Sequence, residues 1–325
     1  MADVRLPDAL RAAIDGLLAG APGGSGSAVA LSDAYRSMLP SSRAVAGAGD
    51  VRAYLTTRLP ATYAATARVL AEAVARLPDF APGSLLDAGS GPGTASWAAA
   101  EAYPGLASVT MLDSNRHLLA AAGELARGSD SATLRTAELL TGSLSVGLAG
   151  ARRFSLVIAS YALTELADRQ VLDSALSLWA SCEGVLVIVE PGRTRDYKRL
   201  MAIREAVIAA GGRVVAPCPH DSACPLPEGD WCHFSVRLPR TRAHMQAKGG
   251  TLGYEDEKFS YLVMARPSIG GASAIARVIR PPVVRKFEVE LSVCGRDGLA
   301  AAVAPKRDAA AYKAARKLDW GDVVV

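Results

Sequence analysis

The segment Leu85-Leu86-Asp87-Ala88-Gly89-Ser90-Gly91-Pro92-Gly93-Thr94 constrains the fold of this chain more than any other. A short apolar run ends in three glycines at alternate positions, and an alanine-rich helical stretch follows. Glycine lets the backbone turn tightly and lets a polar ligand approach with no Cβ in the way. The free N–H groups and positive dipole end of the following helix face the same point. Apolar runs and helical patterns then alternate. Strands are expected at 84–87, 108–113, 134–138, 154–160 and 185–190, and helices at 94–102, 115–127, 163–180 and 195–211. Such alternation predicts an α/β, Rossmann-like domain, a parallel sheet covered by helices on both faces.

The G-x-G-x-G spacing fits an adenosylmethionine-binding turn better than the dinucleotide G-x-G-x-x-G form. The next strand ends at Asp113, twenty residues past Gly93. A carboxylate there can accept hydrogen bonds from both ribose hydroxyls. The cofactor-binding candidates are therefore Asp87, Gly89, Gly91, Gly93 and Asp113, with Ser160 and Tyr161 at the end of a later strand. A relic site, or one for another nucleotide, shares these features, and strand-end packing also accounts for Ser160 and Tyr161. No catalytic residue is identified. Tyr161-Ala162-Leu163-Thr164-Glu165 stands where amino-methylating enzymes often carry an Asn/Asp-Pro-Pro-aromatic tetrad. Methyl transfer needs little beyond alignment of the nucleophile with the methyl group, so the sequence leans towards an adenosylmethionine-dependent methyltransferase without naming its base.

Residues 1–80 read as a helical region, with Leu6, Leu10, Ala13 and Leu17 on one face of a first helix. A glycine- and serine-rich loop is expected at 20–27. Helical patterns resume near Ser32 and run, with breaks at Pro40 and Pro60, to Leu77. Residues 81–212 form the expected core, and 213–325 a cysteine-rich, basic region. There, strands are expected at 259–264 (joining the core sheet), 276–279, 283–291 and 299–303, with a basic helix at 306–318. Half the residues are apolar and 21% are charged, a globular rather than disordered composition. No apolar run approaches the roughly 20 residues of a membrane span. The N-terminus resembles neither a secretory signal nor a transit peptide. The expectation is a cytoplasmic protein without a membrane partner.

The cysteines lie at positions 182, 218, 224, 232 and 294. Cys182 reads as packed core rather than an attacking thiolate. The others are spaced C-x5-C-x7-C, with Cys294 standing 62 residues later. Four thiolates can hold an iron–sulfur cluster or a tetrahedral zinc, with His220 or His233 replacing one ligand of zinc. The spacing matches neither a zinc finger nor a common ferredoxin, and buried free cysteines in a proline-rich loop are the alternative to a metal. An irregular stretch such as 213–245 nonetheless needs a staple, which a metal supplies.

Several segments together resemble one group: LLDAGSGPGTASWAA, FSLVIASYALTEL, VLVIVEPG, APCPHDSACPL, WCHFSVRLPR, GTLGYEDEKFSYLVMAR, ARVIRPP and YKAARKLDWGD. They are similar to the mitochondrial small-ribosomal-subunit methyltransferase-like assembly proteins and their bacterial relatives, over residues 50–322. The resemblance implies a class I methyltransferase domain that binds S-adenosylmethionine. It also implies a [4Fe-4S] cluster on Cys218, Cys224, Cys232 and Cys294, in preference to zinc, and association with the small ribosomal subunit or its RNA. Two other readings stay open, a non-catalytic assembly factor and a small-molecule methyltransferase with structural zinc.

Charge is unevenly spread. Residues 201–325 hold 18 Lys/Arg against 13 Asp/Glu, whereas the first 200 hold 18 against 19. Basic segments at 237–248, 266–286 and 306–317 are the expected contacts to ribosomal RNA, by shape and backbone rather than by a base code. Off the ribosome the chain is expected to be a monomer.

Overall fold

The computed structural model describes residues 4–19, 44–144, 152–248, 251–271 and 273–324. The loop expected at 20–27 and the helix start near Ser32 lie outside them. Among the described residues three helices lead, α1 (Asp8–Leu18), α2 (Ala48–Thr57) and α3 (Leu59–Arg76). The core follows as β1 (Ser84–Ala88), α4 (Thr94–Ala102), β2 (Ser108–Asp113), α5 (Arg116–Arg127), α6 (Ala132–Arg135) and β3 (Glu138–Thr141). It continues through β4 (Phe154–Ser160), α7 (Asp168–Ser181), β5 (Cys182–Pro191), α8 (Thr194–Ala209) and β6 (Arg213–Ala216). Then come β7 (Phe234–Pro239), α9 (Arg242–Lys248) and β8 (Tyr254–Ala265). The chain closes with β9 (Ala276–Val278), β10 (Val283–Val284), β11 (Glu288–Gly295), β12 (Gly298–Pro305), α10 (Ala309–Ala315) and β13 (Val323–Val324).

The main sheet has the order β3-β2-β1-β4-β5-β8-β6, with β7 paired to the outer half of β8. Strands β1 to β5 are mutually parallel. β8 runs against both β5 and β6, and its insertion between them reverses one strand of the sheet. Alternation along the strands divides the core in two. Leu85, Met111, Ile158 and Val187 face one side with α3 and α4; Leu86, Leu112, Val157 and Ile188 face the other with α7 and α8. Both faces are covered, so the central strands are apolar throughout, and Val185–Val189 are all fully buried. Cys182 opens β5 and is wholly buried there rather than lying in a helix.

Four local expectations are corrected. Residues 134–138 are not a strand: the Ser131 hydroxyl caps α6, Leu134 is buried within it, and pairing with β2 begins at Glu138. The helix expected at 163–180 is a 3-10 turn, Leu163–Glu165, followed by α7. The strand expected at 283–291 is broken by a bend at 286–287. Residues 213–245 contain β6, β7 and most of α9. In β7 the inward residues Phe234, Val236 and Leu238 alternate with Ser235 and Arg237, a period that the surrounding prolines and cysteines obscured.

The C-terminal sheet has the order β10-β11-β9-β13, with β12 also on β11. Val289, Leu291 and Val293 of β11 pack beneath α10 around Ala315. This small core holds the region that carries Cys294.

Candidate functional site

At the carboxyl end of β1 the chain turns through three left-handed glycines, Gly89, Gly91 and Gly93, with φ of +74°, +52° and +81°. A Cβ on Gly89 would stand 2.5 Å from that of Ala162, so both conformation and space demand glycine there. The turn is stitched to β2. Gly89 and Ser90 N donate to Leu112 O at 2.8 and 2.9 Å, and Gly91 N donates to Asp113 Oδ2 at 2.6 Å. Asp113 Oδ1 accepts from Asn115 N at 2.7 Å. Burial raises the Asp113 carboxyl above its ordinary pKa, and these backbone donors oppose the shift.

Gly89, Gly91, Asp113, Ser160 and Tyr161 line one crevice. Asp87 and Gly93 stand behind its wall. Asp87 Oδ2 accepts from Ser96 N and Oγ at 2.9 and 2.7 Å and so anchors α4. Among the described residues its Oδ1 has no partner. Burial pushes this carboxyl up to about 7, against the Ser96 hydrogen bonds, and Asp113 adds to the rise.

Sequence reading missed the roof of the crevice, which comes from the helical region. Tyr54 of α2 lines it, and a Cβ on Gly91 would stand 3.7 Å from the Tyr54 hydroxyl. Thr66 of α3 shares a 2.7 Å hydrogen bond with the Ser160 hydroxyl. Tyr161 is the one non-glycine with positive φ (+56°) among the described residues, a strained conformation of the kind found at functional sites. Its hydroxyl donates to Glu257 Oε1 of β8 at 2.8 Å, and the Arg58 guanidinium lies 5.7 Å from its ring centroid. No local pattern marks Tyr54, Arg58, Thr66 or Glu257, because only the fold brings them to the β4 end.

A second centre lies across β8. Cys218, Cys224, Cys232 and Cys294 line a single pocket with Tyr197, His220 and Arg277. The Tyr197 hydroxyl is 3.1 Å from Cys224 Sγ, and His220 Nε2 is 4.0 Å from Cys294 Sγ. His233 stacks on Trp231 and is not among the lining residues. Among the described residues no three Cys, His, Asp or Glu side chains converge closely enough for a single metal ion.

Two arginines, each 1% exposed, grip the loop between β6 and β7 from opposite sides. Arg204 of α8 donates to His220 O at 2.6 Å and Ser222 O at 2.8 Å, and among the described residues its Nε has no partner. Arg277 of β9 donates to Pro217 O at 2.6 Å, Gly321 O at 2.7 Å and Glu72 Oε1 of α3 at 2.6 Å. Burial pushes the Glu72 carboxyl up, but Arg277 and Arg76 outweigh it and hold the group below its usual range. Burial likewise raises the Cys218, Cys232 and Cys294 thiols, the last to about 11, while Arg277 pulls all three down. Glu72 is thus shared by Arg277 and Arg76, and among the described residues no carboxylate pairs with Arg204. Uncompensated buried charge is costly by several kcal/mol, roughly, unless an anion answers it.

Many of the basic residues expected to meet RNA serve the fold. Arg266 donates to Cys182 O and Trp179 O, Arg277 is buried, and Arg280 pairs with Asp230. Arg237, Arg240 and Arg285 pair with carboxylates of neighbouring strands. The Lys248 side chain lies outside the described residues. Lys286, Lys306, Arg307, Lys313 and Lys317 are exposed, and among the described residues no carboxylate pairs with them.

The parallel sheet with one reversed strand between β5 and β6, the glycine turn after β1 and the acid ending β2 define a Rossmann-like fold of the class I methyltransferase type. The chain belongs to the Rsm22 family, described as mitochondrial small ribosomal subunit Rsm22, whose model matches residues 48–325. It is 29% identical over 287 residues to the human protein named ribosome assembly protein METTL17, mitochondrial, covering 83% of this chain and 61% of that one. It is 26% identical over 330 residues to Rsm22-cox11 tandem protein 2, mitochondrial, of Schizosaccharomyces pombe, covering 84% of this chain and 43% of that one. The chain thus spans less than two thirds of either relative. Among solved structures it is similar to magnesium protoporphyrin IX methyltransferase of Synechocystis PCC 6803 with bound SAM. That match has 13% identity and a TM-score of 0.43, and covers 81% of this chain and 99% of that one.

Proposed function

We propose that this chain is an S-adenosylmethionine-binding, [4Fe-4S]-carrying protein that acts on the small ribosomal subunit during its assembly, as an rRNA methyltransferase in the cytoplasm. The observation that carries the reading is the second centre: three thiols of the β6–β7 loop and one of β11 line one pocket, beside two buried guanidiniums of which, among the described residues, only Arg277 is paired with a carboxylate. A cluster held by four thiolates is an anion, and Arg204 and Arg277 would compensate it. Cys218, Cys224, Cys232 and Cys294 would hold the cluster and staple the β6–β7 loop to β11.

In the first centre, Gly89 and Gly91 would pass closest to the cofactor, and Asp113 would accept its ribose hydroxyls. Ser160 and Tyr161 would line the path to the acceptor, while Asp87 and Gly93 would hold the turn's shape from behind. The cofactor, when bound, supplies an electrophilic methyl group. Membership of the Rsm22 family supports the small subunit as partner.

A second reading, a non-catalytic assembly factor, is favoured by one observation. The Tyr161 hydroxyl, at the place of the usual acceptor-binding tetrad, is bonded to Glu257. Incubation with methyl-labelled S-adenosylmethionine and small-subunit particles from a deletion strain separates the two. Label in the RNA that is lost with Asp113→Ala supports the enzyme; no label in any assembly precursor leaves the factor.

A further inference from the structure

At the outer end of the C-terminal sheet, an exposed aromatic ring stands among cations that have no carboxylate partner among the described residues. β10 and β11 are joined by a bend at Lys286 and Phe287, closed by Arg285 N donating to Glu288 O at 2.9 Å. Phe287 is 65% exposed, and the Lys286 ammonium lies 5.1 Å from its ring centroid. Lys306 N donates to Phe287 O at 2.7 Å, which brings the end of β12, with Lys306 and Arg307, beside the bend. The acids nearby are already engaged. Glu288 and Glu290 pair with Arg285, and Asp308 caps α10 by accepting from Ala311 N. The register sets Val283, Glu290 and Val303 side by side on one face, with both valines exposed.

Such a ring contributes little to the fold, and an exposed apolar hairpin is a liability unless something covers it. A second copy packed symmetrically on this face would bring the cations Lys286, Lys306 and Arg307 of both copies into one interface, which like-charge repulsion opposes. A polyanion with flat apolar faces fits both features, because bases stack on aromatic rings while phosphates meet Lys and Arg. We infer that the Lys286–Phe287 bend, with Lys306 and Arg307, is a docking surface for single-stranded or bulged RNA. An unpaired base stacks on Phe287, and its flanking phosphates lie on the three cations. The surface rests on the ribosomal-RNA reading above and narrows it from three basic segments to one bend.

Fluorescence anisotropy with the full, anaerobically purified chain tests this, using two fluorescein-labelled probes, an unstructured RNA of about 12 nucleotides and a duplex of about the same length. Phe287→Leu keeps apolar bulk but removes the ring, and at this exposure it leaves the fold intact, as a thermal melt checks. It is expected to weaken single-strand binding about 5- to 160-fold, the worth of one stacked base, and to change duplex binding by less than about twofold. The pair Lys306→Gln and Arg307→Gln is expected to lower the slope of log affinity against log salt by about 1.4 on the single strand. Wild-type affinity in Phe287→Leu, with an unchanged salt slope in the double variant, overturns the proposal. So does a dimer in sedimentation that Phe287→Leu dissolves, which assigns the face to a second copy. Co-sedimentation with small ribosomal subunits separates the two levels. Subunit binding by the wild type alongside RNA binding insensitive to Phe287 removes only this surface, whereas no subunit binding removes the ribosomal reading as well.

Discussion

Asp87 and Arg204 show how a buried charge reports its surroundings. Asp87 is raised from 3.8 to about 7, chiefly by burial. The folded state therefore keeps a proton that the unfolded chain releases above about pH 4. The resulting stability is full below the unfolded pKa and is lost as pH rises through 7. Asp87→Asn keeps an acceptor for Ser96 and cannot ionise. Its stability relative to wild type is expected to rise between pH 4 and 7 by up to about 1.4 kcal/mol per unit, measured by urea unfolding at several pH values. A parallel pair of profiles would show that Asp87 titrates normally. For Arg204 the sign is expected to depend on the proposed cluster. Arg204→Met should lower the melting temperature of the anaerobically purified protein, yet leave unchanged or raise that of chelator-stripped protein, because an apolar isostere relieves a buried unpaired charge.

Among the elements, α3 joins the two centres. Its Thr66 meets Ser160 in the glycine-lined crevice, and its Glu72 meets Arg277 beside the cysteines. Glu72→Gln would leave Arg277 buried without a carboxylate and is expected to cost about 3–5 kcal/mol in chemical denaturation. Adding Arg277→Met should recover part of that loss, whereas additive losses would mean the pair is not coupled. At this scale the sequence was legible where period and punctuation agree. The β1–Gly89–Gly91–Gly93–α4 unit and Asp113 at the end of β2 could be read because strand, turn and helix signals are contiguous. β6 and β7 could not, since Pro217, Cys218, Cys224 and Cys232 set the local composition and two short strands lie on either side of them. The crevice roof was hidden for another reason: Tyr54 and Glu257 lie about 200 residues apart in sequence and meet the β4 end only through tertiary packing.

In the whole molecule, the helical region, the sheet and the C-terminal sheet converge on the cysteine loop, whose carbonyls at Pro217, His220 and Ser222 are all held by arginines. The pocket was foreseeable as four cysteines, but its charge was not, because neither Arg204 nor Arg277 looks different in sequence from a surface basic residue. If the cluster staples this loop, Cys232→Ser should open residues 217–233 to limited proteolysis while β1–β5 stay protected. The most direct measurement is iron and acid-labile sulfide content, with zinc, in anaerobically purified wild type and Cys232→Ser. About four irons and four sulfides per chain in the wild type, depleted in the variant, are expected. Stoichiometric zinc without sulfide, or no metal at all, would contradict the cluster and the compensating role given to Arg204 and Arg277.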